Sequence, residues 1–170
     1  MLAIGDAILR LVNFLFLVIA LGLTGSLSAT TVDGQNPQVN FAVFAAAFGL
    51  LTSSIYGVFA YFINAFAWPV ILFVFDFLNF VFCFAAATAI AAGIRVHSCS
   101  NEDYVDNNKI TQGSSGRCRK AQASVAFLYF STFIFLASGI FSAISLFQGG
   151  LFGANRPSAR RTGVPTMSQV

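Results

Sequence analysis

Charged side chains are scarce in this sequence. Asp, Glu, Lys and Arg together make up 9% of the 170 residues, whereas 57% are hydrophobic and 21 residues are phenylalanine. Soluble domains carry charge on about a quarter of their residues, so this chain has too few ionic groups to cover a surface that faces water. The composition therefore excludes a soluble globular domain and indicates an integral membrane protein, whose length suits one domain.

Residues that build catalytic or metal centres are equally few. The single histidine, His97, has no HxxxH or HExxH partner, so the sequence shows no metal site. The three cysteines include no CxxC pair and do not make a disulfide scaffold. A P-loop, a GxGxxG motif and a Ser-His-Asp set are all missing, and the basic residues are not interleaved with aromatics in a soluble module. We therefore predict no enzyme, no cofactor and no nucleic-acid partner.

Four apolar runs are long enough to cross a bilayer. A spanning helix needs about 20 mostly apolar residues, and backbone groups in hydrocarbon must be paired internally, which favours helices. The sequence predicts an all-α integral membrane protein, a four-transmembrane-helix bundle. Its expected parts are helices at about 10–29, 39–63, 68–94 and 121–147, a large loop at 95–120, a four-span domain over 1–148 and a disordered cytoplasmic tail over 149–170.

The orientation of the bundle depends on cysteines more than on charges. Both termini of a four-span chain lie on one side, and similar numbers of Lys and Arg flank the two sides, with Arg10 placed at the start of the first span. Cys99 and Cys118 share the large loop, and a disulfide between them needs an oxidising compartment. We predict an outside loop and cytoplasmic termini, with two free thiols in a cytosolic loop as the alternative. The first run exceeds a typical signal core, which favours a retained anchor.

One carboxylate, Asp76, stands in the otherwise apolar run VILFVFDFLNFVFCF. It lies about 10 Å inside the third predicted helix, where a bare charge costs at least about 2.5 kcal/mol. Asn79 shares its face, so the two residues are expected to form an intramembrane polar site. Interhelical hydrogen bonding is the favoured role, and a proton or ligand site and recognition of a lipid headgroup are the alternatives. The candidate partners on other helices are Asn13, Ser53, Ser54, Tyr56 and Tyr61.

Small residues at a spacing of four predict seams between helices. Helices in lipid associate by close packing, which small side chains allow. The two stripes are Ala45, Gly49, Ser53 and Gly57 on the second helix and Ala85, Ala89 and Gly93 on the third. The seams lie either within one bundle or between copies, which leaves a homo-oligomer open. The phenylalanines are assigned to packing and to the lipid face rather than to a cofactor site.

The tail is expected to be a partner interface. Each basic residue near the inner leaflet is worth about 1 kcal/mol of attraction to anionic lipid, so Arg160 and Arg161, with Arg156, would hold the tail near the membrane. The Ser168-x-Val170 ending has the form of a ligand for pockets that capture C-termini by strand addition. An unstructured, solvated end is the alternative. The other residues assigned to this interface are Gly163, Val164 and Pro165.

Four stretches closely resemble the fungal non-classical export protein 2 family. They are LRLVNFLFLVIALGL, YGVFAYFINAFAWPVILFVFDFLNFVF, GIRVHSCSNEDYVDNNKITQGSSGRCRKAQASVAFLYFS and the ending TGVPTMSQV. That family belongs to the four-helix MARVEL-domain membrane proteins. The match covers nearly the whole chain, and the loop YVDNNKITQG and the ending GVPTMSQV are its most specific parts. The middle of the first loop and the segment GGLFGANRPSAR do not contribute to the resemblance.

The resemblance implies a function that the composition alone does not. Its members are plasma-membrane tetraspans of eisosome-associated domains, which they organise; they respond to sphingolipid and are linked to export of proteins that lack signal sequences. The expected partners are membrane lipids, with sphingolipid first and sterol second, and eisosome scaffold proteins. The alternative function is a small transporter or channel that uses Asp76 and Asn79. Such machines usually show internal repeats, and this sequence has none.

Overall fold

A computed structural model describes residues 2–32, 34–56, 69–95 and 97–149 of the chain. All regular structure in these ranges is helical, which confirms the predicted all-α class. The elements are α1 (Leu2–Ala29), α2 (Pro37–Gly49) with a π-helical continuation (Leu50–Tyr56), α3 (Pro69–Ile94), α4 (Glu102–Asn107) and α5 (Ser115–Gly149).

Three of the helices are long and apolar enough to cross a membrane. These segments are Gly5–Ala29, Val70–Ile94 and Ser115–Ile144, and a shorter apolar helix covers Pro37–Ser53. The rest of the second predicted span, up to residue 63, lies beyond residue 56 and outside the described residues. The fold is therefore a membrane-spanning helical bundle, as predicted.

Two helices begin earlier than the sequence indicated. α1 starts at Leu2 rather than near residue 10, and an ion pair between Asp6 and Arg10, one helical turn apart, supports its first turns. α5 starts at Ser115 rather than near residue 121, because contacts of Arg117 fix its first turn against the preceding loop. The predicted loop 95–120 is correspondingly shorter, and it contains the helix α4.

The second helix is not a uniform α-helix. It begins at Pro37, with the Asn36 side chain accepting a hydrogen bond from the Gln38 backbone N–H, so that Pro37 occupies a first-turn position where its missing N–H does no harm. From Leu50 to Tyr56 the backbone is π-helical. The sequence predicted a helix over 39–63 and gave no sign of this change in helix type. Segments of this kind are frequent at functional sites, and this one carries a residue that contacts α3.

The helices form a ring. The pairs that pack most extensively are α1–α2, α2–α3, α3–α5 and α1–α5, so α1 and α3 face each other across a diagonal. The described core combines small and aliphatic side chains, among them Leu17, Ala46, Ala86, Ile90 and Leu128. Many aromatic side chains point outward instead, including Phe77, Phe84, Phe130 and Phe133, which suits a lipid face. We call the end where α1 begins and α5 ends the terminal end, and the opposite end the loop end.

Candidate functional site

Asp76 is buried in the bundle and paired with an arginine. Its residue is 1% exposed. Arg10 of α1 donates from Nη2 to Asp76 Oδ2 at 2.8 Å and from Nη1 to Asp76 Oδ1 at 3.2 Å. Two such charge-assisted bonds fix a planar guanidinium against a carboxylate. The intramembrane polar site is thus centred on an ion pair that links α1 to α3.

Two further side chains complete this site. Ser142 of α5 donates from Oγ to Asp76 Oδ2 at 3.1 Å. Asp6, one turn before Arg10, accepts a hydrogen bond from Arg10 Nε at 2.8 Å, and its side chain is 28% exposed. We call Asp6, Arg10, Asp76 and Ser142 the ion-pair cluster. It joins three helices near the terminal end, about 10 Å from the start of α3 at 1.5 Å per residue.

The cluster favours one assembled state of the bundle. Removing one partner of a buried ion pair leaves an uncompensated charge and typically costs about 3–5 kcal/mol. Asp76 is buried away from water and packs beside Gly139 of α5. A Cβ on Gly139 would lie 3.8 Å from the Asp76 Cβ. Separation of α1 from α3 is therefore strongly opposed.

A second polar layer lies one turn deeper than the cluster. Asn13, Asn79 and Ser138 are each at most 1% exposed. Asn79 Nδ2 donates to Thr52 Oγ1 at 2.7 Å, and Thr52 Oγ1 donates in turn to the carbonyl oxygen of Phe48 at 2.7 Å. Asn79 therefore ties α3 to the π-helical segment. Asp76 and Asn79 share a buried face but bind different neighbours. The sequence predicted one polar site for both residues, and the structure places them in two separate polar layers.

The described partners of Asp76 are Arg10 and Ser142, and neither belongs to the five side chains that the sequence suggested. Asn13 makes no hydrogen bond within the described residues, and the side chains of Ser54 and Tyr61 lie outside them. Arg10 was assigned to the edge of the first span because basic residues commonly flank spans. The useful signal was Asp6, four residues earlier, because such a pair indicates a helix that continues through both residues.

The predicted stripe on the second helix lies against its neighbours. A Cβ on Gly49 would lie 3.1 Å from Leu17 Cδ1 and 3.5 Å from Phe135 Cζ, so α2 approaches both α1 and α5 closely there. Ala45 is fully buried and Ser53 is nearly so. Gly57, the last member of the stripe, lies outside the described residues.

The stripe on α3 is displaced by one position from the buried face. Ala85 and Ala89 are half-buried, whereas Ala86, Ala87 and Ile90 are fully buried. A helix turns by about 100° per residue, so a stripe one position away points to the edge of the interface. Gly93 does mark a close approach, because a Cβ there would lie 2.5 Å from both Gln38 Oε1 and Ile110 Cδ1.

The loop end is held by a disulfide and by a buried arginine. Cys99 and Cys118 are bonded, with Cα atoms 5.7 Å apart. Arg117 donates from Nε to the carbonyl oxygen of Ile110 at 3.2 Å and from Nη1 to that of Leu27 at 3.1 Å; Nη1 also donates to Thr30 Oγ1. These contacts fasten the α3–α5 connection to α1.

Two further predictions concern metal ions and the tail. Within the ranges that the structure describes, no group of three or more His, Cys, Asp and Glu residues could hold a metal ion. The tail residues assigned to interaction lie outside those ranges; they are Arg160, Arg161, Gly163, Val164, Pro165, Ser168 and Val170. The tail interface therefore stays a prediction.

Comparison with known proteins places the chain in a family. Residues 2–141 match the MARVEL model, described as a membrane-associating domain. Over the full length of both chains, it is 82% identical to "Non-classical export protein 102" of Candida albicans and 56% identical to "Non-classical export protein 2" of Saccharomyces cerevisiae. No solved structure matches it. The chain therefore belongs to the MARVEL family of membrane-associating domains and, within it, to the fungal non-classical export protein 2 family.

Proposed function

We propose that this protein is a non-enzymatic organiser of eisosome-associated microdomains in the plasma membrane. It responds to sphingolipid and is linked to the export of proteins without signal sequences. The names of the relatives at 82% and 56% identity support the export role. The roles in sphingolipid response and in domain organisation rest on the family resemblance carried by the loop and the C-terminal stretch.

The observation that carries this proposal is that the Asp76 carboxylate is held by side chains of two other helices. Both of its carboxylate oxygens accept hydrogen bonds from Arg10, and Oδ2 also accepts one from Ser142. A carrier needs an acidic group that can exchange a proton or an ion, but this carboxylate is bound to side chains of the protein itself. The ion-pair cluster therefore supports a closed, structural bundle, and it weakens the alternative of a transporter or channel.

A closed bundle suits a protein that acts by lateral packing. Its described outer surface presents large apolar side chains such as Phe77, Phe84, Phe130 and Phe133, which contact lipid or a neighbouring protein. The disulfide-bonded loop is outside the cell, and both termini are cytoplasmic. In this arrangement the tail can bind the eisosome scaffold in the cytoplasm. Sphingolipid or sterol contacts the outer surface of the helices within the membrane.

The experiment is complementation in a fungal strain that lacks its non-classical export proteins. The fluorescently tagged chain is expressed there, and plasma-membrane microdomains and the release of a leaderless reporter protein are both measured. We expect the chain to restore both. An unrelated four-span membrane protein at the same abundance is the control. Normal delivery of the chain to the plasma membrane with no effect on microdomains would contradict the organising role, whatever the reporter does.

A further inference from the structure

A cleft of about 980 Å³ opens at the loop end of the bundle. It lies at the opposite end of the helices from the ion-pair cluster. The connection between α1 and α2 forms one wall, and the connection between α3 and α5 forms the other. The residues that matter for its chemistry are Gln35, Gln38, Arg95, His97, Tyr104, Asp106 and Lys109.

The cleft carries charges that bind nothing else in the described protein. Arg95 and Lys109 both line it. The two ion pairs found among the described residues join Arg10 to Asp6 and to Asp76, so neither of these cations has an acidic partner. Asp106 also lines the cleft. Two cations and one acid leave a positive surplus, which favours an anionic ligand.

One wall of the cleft is a fixed aromatic surface. The ring centroids of His97 and Tyr104 lie 4.6 Å apart. Tyr104 Oη donates to the carbonyl oxygen of Ile94, and Asn108 Nδ2 lies 3.3 Å from Tyr104 Oη as a donor. Burial is the larger influence on the Tyr104 phenol and raises its pKa, against the opposing charge of Arg95. The phenol therefore stays neutral at ordinary pH and keeps the ring in place.

The backbone of the cleft is strained where it lines the opening. Arg95 and Gln112 have φ angles of 49° and 47°, and they are the non-glycine residues with positive φ in the described chain. Both line the cleft. Such conformations cost about 1–3 kcal/mol each and cluster at ligand sites and active sites. Their presence in one cleft indicates a surface that is shaped for binding.

The position of the cleft identifies the solvent layer that it faces. Arg95 directly follows the last residue of α3, and Gln38 lies in the first turn of α2. Both residues mark points where apolar helices leave the hydrocarbon, so the cleft lies at the depth of lipid headgroups. In the proposed orientation this is the outer leaflet, and the positive surplus of the cleft attracts an anionic headgroup there.

We propose that this cleft binds the headgroup of an anionic lipid that carries a phosphodiester and a hydroxylated ring, as an inositol phosphate does. Arg95 and Lys109 neutralise the phosphate. The amide of Gln38 donates to and accepts from ring hydroxyls, and the carboxylate of Asp106 accepts from them. The ring lies against the His97–Tyr104 wall. The choice of a lipid over a free polyol phosphate rests on the proposed function as a lipid-responsive organiser.

The test measures lipid binding by the purified full chain in detergent micelles, using native mass spectrometry. The probes are phosphatidylinositol, phosphatidylcholine and soluble myo-inositol 1-phosphate. We expect at least fivefold preference for phosphatidylinositol over phosphatidylcholine, and competition by the soluble compound. Arg95→Gln and Lys109→Gln should each remove most of that preference. The matched control is Arg119→Gln, which removes an exposed positive charge at the same end but outside this cleft.

The other outcomes overturn the proposal. Equal loss of binding in Arg119→Gln would mean that general positive charge attracts the lipid and that the cleft has no special role. Binding of the soluble compound without binding of phosphatidylinositol would assign the cleft to a free polyol phosphate. No binding of either probe would remove the site. Because the assay uses purified protein, each of these results leaves microdomain formation in cells to be judged separately.

Discussion

Arg10 and Asp76 lie on helices that face each other across the diagonal of the bundle, and their side chains are joined by hydrogen bonds of 2.8 and 3.2 Å. The ring of neighbouring helices does not by itself fasten α1 to α3, because each of these packs mainly on α2 and α5. The long side chain of Arg10 spans the distance between α1 and α3. The pair therefore closes the bundle from the inside.

Replacement of Asp76 by Asn tests whether this contact is ionic. Asp76→Asn keeps a hydrogen-bonding group of the same size but leaves the buried guanidinium with Asp6 alone. We expect the free energy of unfolding in detergent to fall by about 3 kcal/mol. Asp6→Asn, at the partly exposed end of the cluster, should cost less than about 1 kcal/mol. A stability of Asp76→Asn equal to that of the wild type would indicate a protonated carboxyl and no ion pair.

A larger residue at Gly49 tests the seam between α2 and its neighbours. Gly49→Leu places a side chain where a Cβ alone would lie 3.1 Å from Leu17, and overpacking of this kind costs about 1–3 kcal/mol. Gly22→Leu on α1 is the matched control, because no atom lies within 4 Å of a Cβ there. Thermal unfolding in detergent should separate the two variants. Equal stability would show that α2 does not pack closely at Gly49.

Thiol labelling tests the disulfide and the orientation together. On intact cells, a membrane-impermeant maleimide should label the loop after reduction and not before, because Cys99 and Cys118 are bonded. Cys118→Ser frees Cys99 and should be labelled without a reductant. Labelling of the wild type without a reductant would exclude the disulfide. A requirement for permeabilisation in both proteins would place the loop in the cytosol.

Truncation tests the predicted role of the tail. Deletion of residues 163–170 removes the C-terminal ending and keeps Arg160 and Arg161, so the attraction of the tail to anionic lipid is unchanged. We expect normal insertion and surface delivery but loss of recruitment into eisosome domains, measured by colocalisation with a scaffold protein. Ser168→Ala within the full-length tail is the control for the ending alone. Normal recruitment of the truncated protein would move the organising activity into the helices.

The sequence predicted the fold and the need for a partner at Asp76, but it did not predict the partner. Hydropathy and length are enough to identify apolar helices, because the bilayer sets both. The identity of Arg10 depends on which helices lie on the diagonal and on how far α1 extends beyond the membrane edge. Both follow from packing, which a single sequence does not display.

The same limit explains the displaced stripe on α3. Spacing alone selects Ala85 and Ala89, whereas the buried alanines are Ala86 and Ala87, because the rotation of a helix is set by its neighbours. The π-helical change at Leu50 likewise has no signature in the residue pattern. The sequence does indicate which cysteines share the loop, because Cys99 and Cys118 both fall between the third and fourth predicted spans.

The measurement that tests the central claim most directly is microdomain assembly by a chain without the charged pair. Arg10→Met with Asp76→Leu replaces both charges by apolar groups, a change that is often neutral or stabilising for a buried pair. If the pair serves only to close the bundle, this double variant should form microdomains like the wild type, while Asp76→Leu alone should fail. A double variant that reaches the plasma membrane in normal amount but forms no microdomains would contradict the account, because it would show that the charges themselves carry the function.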